Sequence, residues 1–362
     1  SPKDFYINLG SEMPKQVCIN NRILFGPTSG VQRYLIEILK YLPENQIDTL
    51  SSIKFKAGFK GHLWEQLFLQ NKIDGKLLWS PANTGPISIS HQVVTLHDIA
   101  TFEVPENFNK KFSTYYKNIV PKLLLKSQKI ITVSNFMKTR AVELFELDPG
   151  KISVIQNGIN EKFKPVGDEK NDLVRKKLGI PTPYYIVGVG SLEPRKNLHR
   201  LIKAWGIAQS KISKDVWLVL VGMKGKPQVF RKMSFDYIPP RVHFTGYIED
   251  GDLPALYSGA MASAYLSVYE GFGLPPLEAM ACGTPSITGN LTSLPEVIGN
   301  SGVMVDPYDI EAIEDGLFRI IDDSVFRNDL RGKGLERAKN FSWKKSADLT
   351  WKLLLEESGK TT

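Results

Sequence analysis

Two carboxylates, Glu270 and Glu278, are separated by seven residues in the run Tyr269-Glu270-Gly271-Phe272-Gly273-Leu274-Pro275-Pro276-Leu277-Glu278. The apolar stretch Ala262 to Val268 before them reads as a buried strand, so Glu270 falls at a strand's carboxyl end. Gly271 and Gly273 let the backbone turn sharply, and Pro275-Pro276 suits the first positions of a helix running to Ala281. The amides of such a helix start are unpaired and can hold an anion such as a diphosphate, with Glu278 one turn inside the same mouth. A pair of cations, Arg195 and Lys196, stands at a second strand-to-helix turn, Gly188-Val189-Gly190-Ser191-Leu192-Glu193-Pro194-Arg195-Lys196-Asn197. A guanidinium fork beside an ammonium point charge can address different oxygens of a pyrophosphate. His97 and Asp98 end a third strand, where an imidazole and a carboxylate meet the edge of a cleft or simply close the strand.

These turns need strands and helices in alternation, and the chain supplies them. Strands are expected at Gln16 to Ile23, Leu77 to Ser80, Gln92 to Leu96, Lys129 to Val133 and Ile152 to Gln156. Between them a tight loop at Gly26 to Gly30 leads into a helix over Val31 to Leu42, another helix covers Asn109 to Lys126, and one begins behind Ser134. Residues 161 to 183 lose that rhythm in a charged stretch bracketed by Pro165, Pro181 and Pro183, which marks the boundary between domains. The alternation restarts with strands Tyr184 to Val189, Val216 to Val221, Val242 to Thr245 and Ala262 to Val268, and helices Leu198 to Gln209 and Leu253 to Ala260. The fold class is therefore α/β: two doubly wound domains, residues 1–165 and 170–342, facing each other across a cleft. A last helix over 343–358 is free to lie on either. Ligands in such sheets sit beyond the carboxyl ends of the strands.

The Glu270 to Glu278 segment, continued by Ala-Met-Ala-Cys-Gly-Thr-Pro to Pro285, resembles the donor-site signature of family 4 retaining glycosyltransferases of GT-B fold. Gly188 to Asn197 resembles that family's diphosphate-gripping loop, and Val242-His243-Phe244-Thr245-Gly246-Tyr247 its strand beside the nucleobase. Gly30 to Arg33, His97-Asp98 and Val154 to Asn160 match its amino-terminal landmarks. The resemblance implies two Rossmann-like domains and transfer of a hexose, glucose or mannose, from a UDP- or GDP-sugar to a hydroxyl of a glycan or lipid-linked glycan. UDP-glucose is the first expectation for the donor and GDP-mannose the second, with no cofactor. The catalytic group is expected to be His97, touching the donor sugar, with Arg195, Lys196 and Glu270. The donor is expected to meet these and Gly30, Gly190, Ser191, Tyr247, Ile248, Gly271, Phe272, Gly273, Leu274 and Glu278.

Other motifs carry less. Ser134, Asn135 and Lys138 follow a strand end and could contact an acceptor, although Ser134 is equally suited to capping its helix. Asp250-Gly251-Asp252 has the spacing of a metal-bridging motif, but Asp252 stands just before an apolar helix as a carboxylate cap would, so no metal is expected. Six lysines, 110, 111, 117, 122, 126 and 129, flank the apolar stripe Phe112, Tyr116, Ile119, Val120 and Leu123, with Pro121 expected to kink the helix. They form either a solvated face or a peripheral contact with an anionic membrane.

Composition narrows the classes. A chain of 362 residues with 42% hydrophobic and 23% charged residues is globular rather than disordered, and long enough for two cores. Two distant cysteines, Cys18 and Cys282, suit a reducing compartment. No apolar run reaches a membrane span, and Ser1-Pro2-Lys3-Asp4 opens no secretory segment, so a cytoplasmic protein is expected, at most at the inner face of a membrane. The net charge of +8 favours an anionic partner. Nucleic acid is not expected, since no RRM, KH, zinc-finger or helix-turn-helix signature occurs. A non-transferring enzyme on the same fold, such as a nucleotide-sugar epimerase, remains the nearest rival.

Overall fold

The computed structural model describes residues 16–25, 30–51, 58–222, 235 and 237–360. Among them are two parallel six-stranded sheets. The first contains β1 (Val17–Asn20), β2 (Ile47–Leu50), β3 (Leu77–Ser80), β4 (Gln92–Leu96), β5 (Lys129–Thr132) and β6 (Ile152–Val154), in the order β2-β1-β3-β4-β5-β6. The second contains β7 (Tyr185–Val189), β8 (Trp217–Val221), β9 (Val242–Gly246), β10 (Ala262–Tyr265), β11 (Ser286–Gly289) and β12 (Gly302–Val305), in the order β12-β11-β10-β7-β8-β9. Both sheets are doubly wound, as the alternation of strands and helices requires. Strand order reverses between β7 and β10, and the crevice at that reversal is where such sheets hold ligands.

Strands such as Leu77–Ser80 and Gln92–Leu96 are buried along their whole length, which explains their near-continuous apolar character. Three parts differ from the sequence reading. The first strand stops at Asn20 and gives way to a single tight turn, Arg22–Phe25. The Gly26 to Gly30 loop falls largely outside the described residues, and its helix, Gly30–Leu39, ends earlier than Leu42. The charged boundary stretch contains a helix, Asp168–Lys177, which lies against the Leu253–Gly259 helix and buries one side chain, Val174. Strands β2, β11 and β12 add to those foreseen. The Lys110–Lys126 helix remains one element across Pro121.

The last helix, Trp343–Ser358, returns to the first sheet and rests against the Gly30–Leu39 helix and β3. Trp343, Ala347 and Leu354 join Tyr34, Trp79 and Val17 in one buried cluster, each large side chain contributing about 1.5–3 kcal/mol. The two crossings between the halves run side by side, with the Ile159 amide donating to the Phe341 carbonyl at 3.2 Å. Gly158 is required there, because a Cβ on it would lie 2.0 Å from the Trp343 nitrogen.

Candidate active site

The site forms where the turn after β7 meets the turn after β10. Beyond β7 the chain makes one tight turn, Pro194–Lys196, and enters the Leu198–Ala208 helix through Asn197 at φ 59°. Lys196 Nζ lies 2.6 Å from Glu270 Oε1 and donates to the Tyr265 hydroxyl at 2.5 Å. The Tyr265 hydroxyl in turn donates to Glu270 Oε1 at 2.9 Å. Arg195 places one terminal nitrogen 3.2 Å from the same oxygen and 3.1 Å from the Tyr269 carbonyl, and its Nε 2.5 Å from Glu193 Oε1. Glu193, 1% exposed, also accepts from Ser191 at 2.8 Å. Buried charges persist only when paired, and here two cations face two carboxylates.

The pairing dominates the protonation states. Burial opposes ionisation of Glu270, but Lys196 and Arg195 outweigh it and hold the carboxyl down at about 2. Burial works against the Arg195 charge too, yet Glu270 and Glu193 keep its proton on more firmly than usual. Lys196 goes the other way: burial, then Arg195, lower its ammonium against the pull of Glu270. The cluster thus holds two cations in place before any anion arrives.

The Glu270 to Gly273 loop is clamped from several sides. Ser293 Oγ is 2.9 Å from the Glu270 carbonyl and 2.8 Å from that of Phe272, and Ser134 donates to the Gly271 carbonyl at 2.7 Å. Gly273, at φ 112°, turns the chain into the Leu274–Ala281 helix. Pro275 and Pro276 occupy its first turn, so two of the four free amides of a helix start are absent and those of Gly273 and Leu274 remain. Glu278 is buried one turn in, facing the first half, where Arg33 reaches it at 3.3 Å. The other arm of Arg33 pairs with Asp250, which Lys162 approaches at 3.6 Å. Burial raises the Glu278 carboxyl to about 7 against Arg33 and Lys162. These side chains, with Leu274 and Trp343, line a cavity of about 60 Å³ between the halves.

The remaining sequence candidates are distributed unevenly. His97 reaches the cleft, but its ring is buried, Nε2 donates to the Pro81 carbonyl at 2.7 Å, and burial lowers its imidazole to about 4. The neutral ring keeps Nδ1 as an acceptor. Gly190 lies under the Lys196 stem, and Gly30 opens the helix that carries Arg33. Ile248 is buried, whereas Tyr247 is 67% exposed. Ser134, Asn135 and Lys138 have partners inside the protein: Ser134 caps Met137 and holds Gly271, Asn135 binds Glu296, and Lys138 donates to the Ile152 carbonyl at 3.0 Å. Asp252 makes no side-chain cap, contrary to expectation, because its carboxylate holds Lys177 at 2.7 Å. Among the described residues no group of three or more His, Cys, Asp or Glu side chains is arranged to hold a metal.

Residues 170–337 match the model of "Glycosyl transferases group 1" and residues 85–163 that of "Glycosyltransferase Family 4". The O-antigen chain mannosyltransferase B of Escherichia coli is 32% identical over 260 residues, 71% of this chain and 68% of that protein. The chain belongs to the family 4 glycosyltransferases of GT-B fold. The O-antigen chain mannosyltransferase RfbU of Salmonella typhimurium is 30% identical over 70% of this chain and 67% of its own length. A serotype-specific mannosyltransferase, WbdA of Escherichia coli, is 27% identical over 81% of this chain, which spans only 37% of that longer protein. In fold, the glycosyltransferase superposes on Anabaena HepE in complex with UDP-glucose at a TM-score of 0.72, with 18% identity and coverage of 94% of this chain and 99% of that one. It superposes on WaaG, involved in lipopolysaccharide biosynthesis, at 0.68, with 15% identity and coverage of 93% and 98%.

Within this glycosyltransferase the structure brings Arg195, Lys196 and Glu270 into one cluster and sets Glu278 apart from them, beside Arg33. Sequence reading missed Tyr265, Ser293 and Glu296. Tyr265 sits at the end of its own strand, a position that invites attention; the other two carry no local signal.

Proposed function

We propose that the protein transfers a hexosyl group, mannose in preference to glucose, from a nucleoside diphosphate sugar to a hydroxyl of a glycan or lipid-linked glycan, with retention of anomeric configuration and without a metal. The observation that carries this reading is the buried pair Arg195 and Lys196 held on Glu270 at 3.2 and 2.6 Å. As the bond between sugar C1 and the diphosphate breaks, negative charge grows on the leaving oxygens, and two fixed cations stabilise it without reorganising. The acceptor oxygen bonds to C1 on the face the diphosphate vacates, and a phosphate oxygen takes its proton. Glu270 Oε1 already receives Lys196, Arg195 and Tyr265, which leaves it a poor nucleophile and favours this route over a covalent intermediate. Mannose is favoured because relatives at about 30% identity are mannosyltransferases.

Membrane contact is a second part of the proposal. Lysines 110, 111, 117, 122 and 126 are exposed along one helix, as is Leu125 at 58%. That combination suits peripheral docking at the inner, anionic face of a bilayer; among the described residues no helix is long and apolar enough to cross one.

Incubation with GDP-mannose, UDP-glucose and the corresponding exchanged pairs, with a glycan acceptor, tests the reading by proton NMR of the product. An α-linked mannoside and released nucleoside diphosphate are expected; a β-linked product, or donor epimerised without transfer, contradicts it.

A further inference from the structure

A short segment of the second half, Thr292 to Glu296, touches both the reactive loop and the first half. Thr292 Oγ1 accepts from the Glu270 amide at 3.2 Å, and Ser293 holds the Glu270 and Phe272 carbonyls. Thr292 has φ 61°, a conformation that a β-branched residue keeps only where its surroundings enforce it. One turn further, Glu296 reaches across the cleft. Its carboxylate accepts from the Asn135 amide at 3.0 and 2.9 Å, from Asn135 Nδ2 at 2.9 Å, from the Phe136 amide at 3.3 Å and from Gln156 Nε2 at 2.9 Å.

The Asn135–Phe145 helix thus takes its first-turn carboxylate from the other half of the protein. Its own first turn contains no acidic residue, and Ser134 caps only the Met137 amide. Without Glu296, the amides of Asn135 and Phe136 would lose their acceptor at the positive end of the helix. The cap is linked to the reaction centre, because the hydroxyl of Ser134 also donates to the Gly271 carbonyl, and Gly271 lies against the His97 carbonyl.

We propose that Glu296 is a positioning residue for transfer: seated on the first turn of the Asn135–Phe145 helix, it fixes how His97 and Glu270 stand to each other across the cleft. Glu296 acts through the helix end and Ser134. The halves are also joined by Ile159 to Phe341 and by Arg33 to Glu278, so losing Glu296 changes their relative setting without separating them. The choice of transfer as the assay rests on the function proposed above.

Glu296→Ala and Glu296→Gln are compared with the parent in three measurements: kcat for transfer, the calorimetric Kd of the bare nucleoside diphosphate, and hydrogen exchange at the Asn135 and Phe136 amides. Glu296→Ala is expected to lower kcat by roughly tenfold or more, to leave the nucleotide Kd within about twofold, and to speed exchange at both amides. Added formate, a carboxylate small enough for the vacated helix end, is expected to restore part of kcat in Glu296→Ala and none in the parent. Should Glu296→Ala not fold, Glu296→Gln carries the same comparison, with a smaller loss and no formate rescue. A kcat within about twofold of the parent overturns the proposal, as does parallel loss of kcat, nucleotide affinity and thermal stability without rescue, the mark of a purely structural contact. A parent inactive with every donor contradicts the proposed function instead, while amide exchange still reads the Glu296 contact.

Discussion

Gly271 and His97 meet backbone to backbone: a Cβ on the glycine would fall 1.7 Å from the histidine carbonyl oxygen. Only glycine permits this approach, and it brings the end of β4 against the loop that follows β10 across the cleft. Gly271→Ala must push the two halves apart or break the loop that carries Glu270. Transfer is expected to fall by about 100-fold or more, while the Kd of a bare nucleoside diphosphate stays within about threefold, since Arg195, Lys196 and Glu278, proposed to hold it, all lie in the second half. Steady-state kinetics with calorimetry checks both. Full transfer by Gly271→Ala would show that the halves need not touch there.

Glu278 gives a pH dependence with a defined sign. Burial raises its carboxyl to about 7, against Arg33 and Lys162. If its ionised oxygens accept the two ribose hydroxyls, nucleotide affinity falls as pH drops below about 7, approaching tenfold per unit. Glu278→Gln is expected to flatten that profile between about pH 5.5 and 8 and to bind more weakly at the upper end. The same carboxyl holds its proton more tightly folded than unfolded. Its contribution to stability is therefore full below about 4.5 and lost as pH rises through about 7, a difference between parent and Glu278→Gln that urea unfolding can read. Glu270, held at about 2, takes no part in this range; Glu270→Ala is expected to lower transfer with little change in nucleotide affinity.

The lysine-rich helix offers a test apart from chemistry. Lys126 donates to the Ser88 carbonyl at 2.9 Å, so it is left in place. Glu at Lys111 and Lys122, both exposed, is expected to weaken binding to phosphatidylglycerol vesicles by about tenfold or more, at about 1 kcal/mol for each charge near the surface. Transfer to a soluble acceptor stays unchanged. Equal sedimentation of parent and variant with vesicles leaves a merely solvated face.

The legible parts of this protein were those whose causes are local. Leu77 to Ser80 and Gln92 to Leu96 are continuous apolar runs because both faces of their sheet are covered, and such runs announce themselves. Asp168–Lys177 did not, because its propensity and charge pattern carry it with one buried side chain, leaving no apolar stripe. In the site, Glu270, Glu278, Arg195 and Lys196 stood out beside glycines and prolines that force turns. Their partners did not: Arg33 finds Glu278, and Asn135 finds Glu296, across separations that only the closed fold brings together. Ser134, Asn135 and Lys138, the acceptor candidates, likewise have partners within the protein that no local pattern announces.

The central claim is that Arg195 and Lys196, held in place on Glu270, grip the diphosphate, and calorimetry with matched nucleotides tests it most directly. Each cation lost should remove one charge-assisted bond, about 1.5–3 kcal/mol, or at least about tenfold in affinity. The parent is expected to bind the nucleoside diphosphate at least about tenfold more tightly than the monophosphate of the same base. Arg195→Ala and Lys196→Ala are each expected to narrow that gap by about tenfold or more, with monophosphate affinity changed by no more than about threefold. A gap of the same size in both variants would contradict the account.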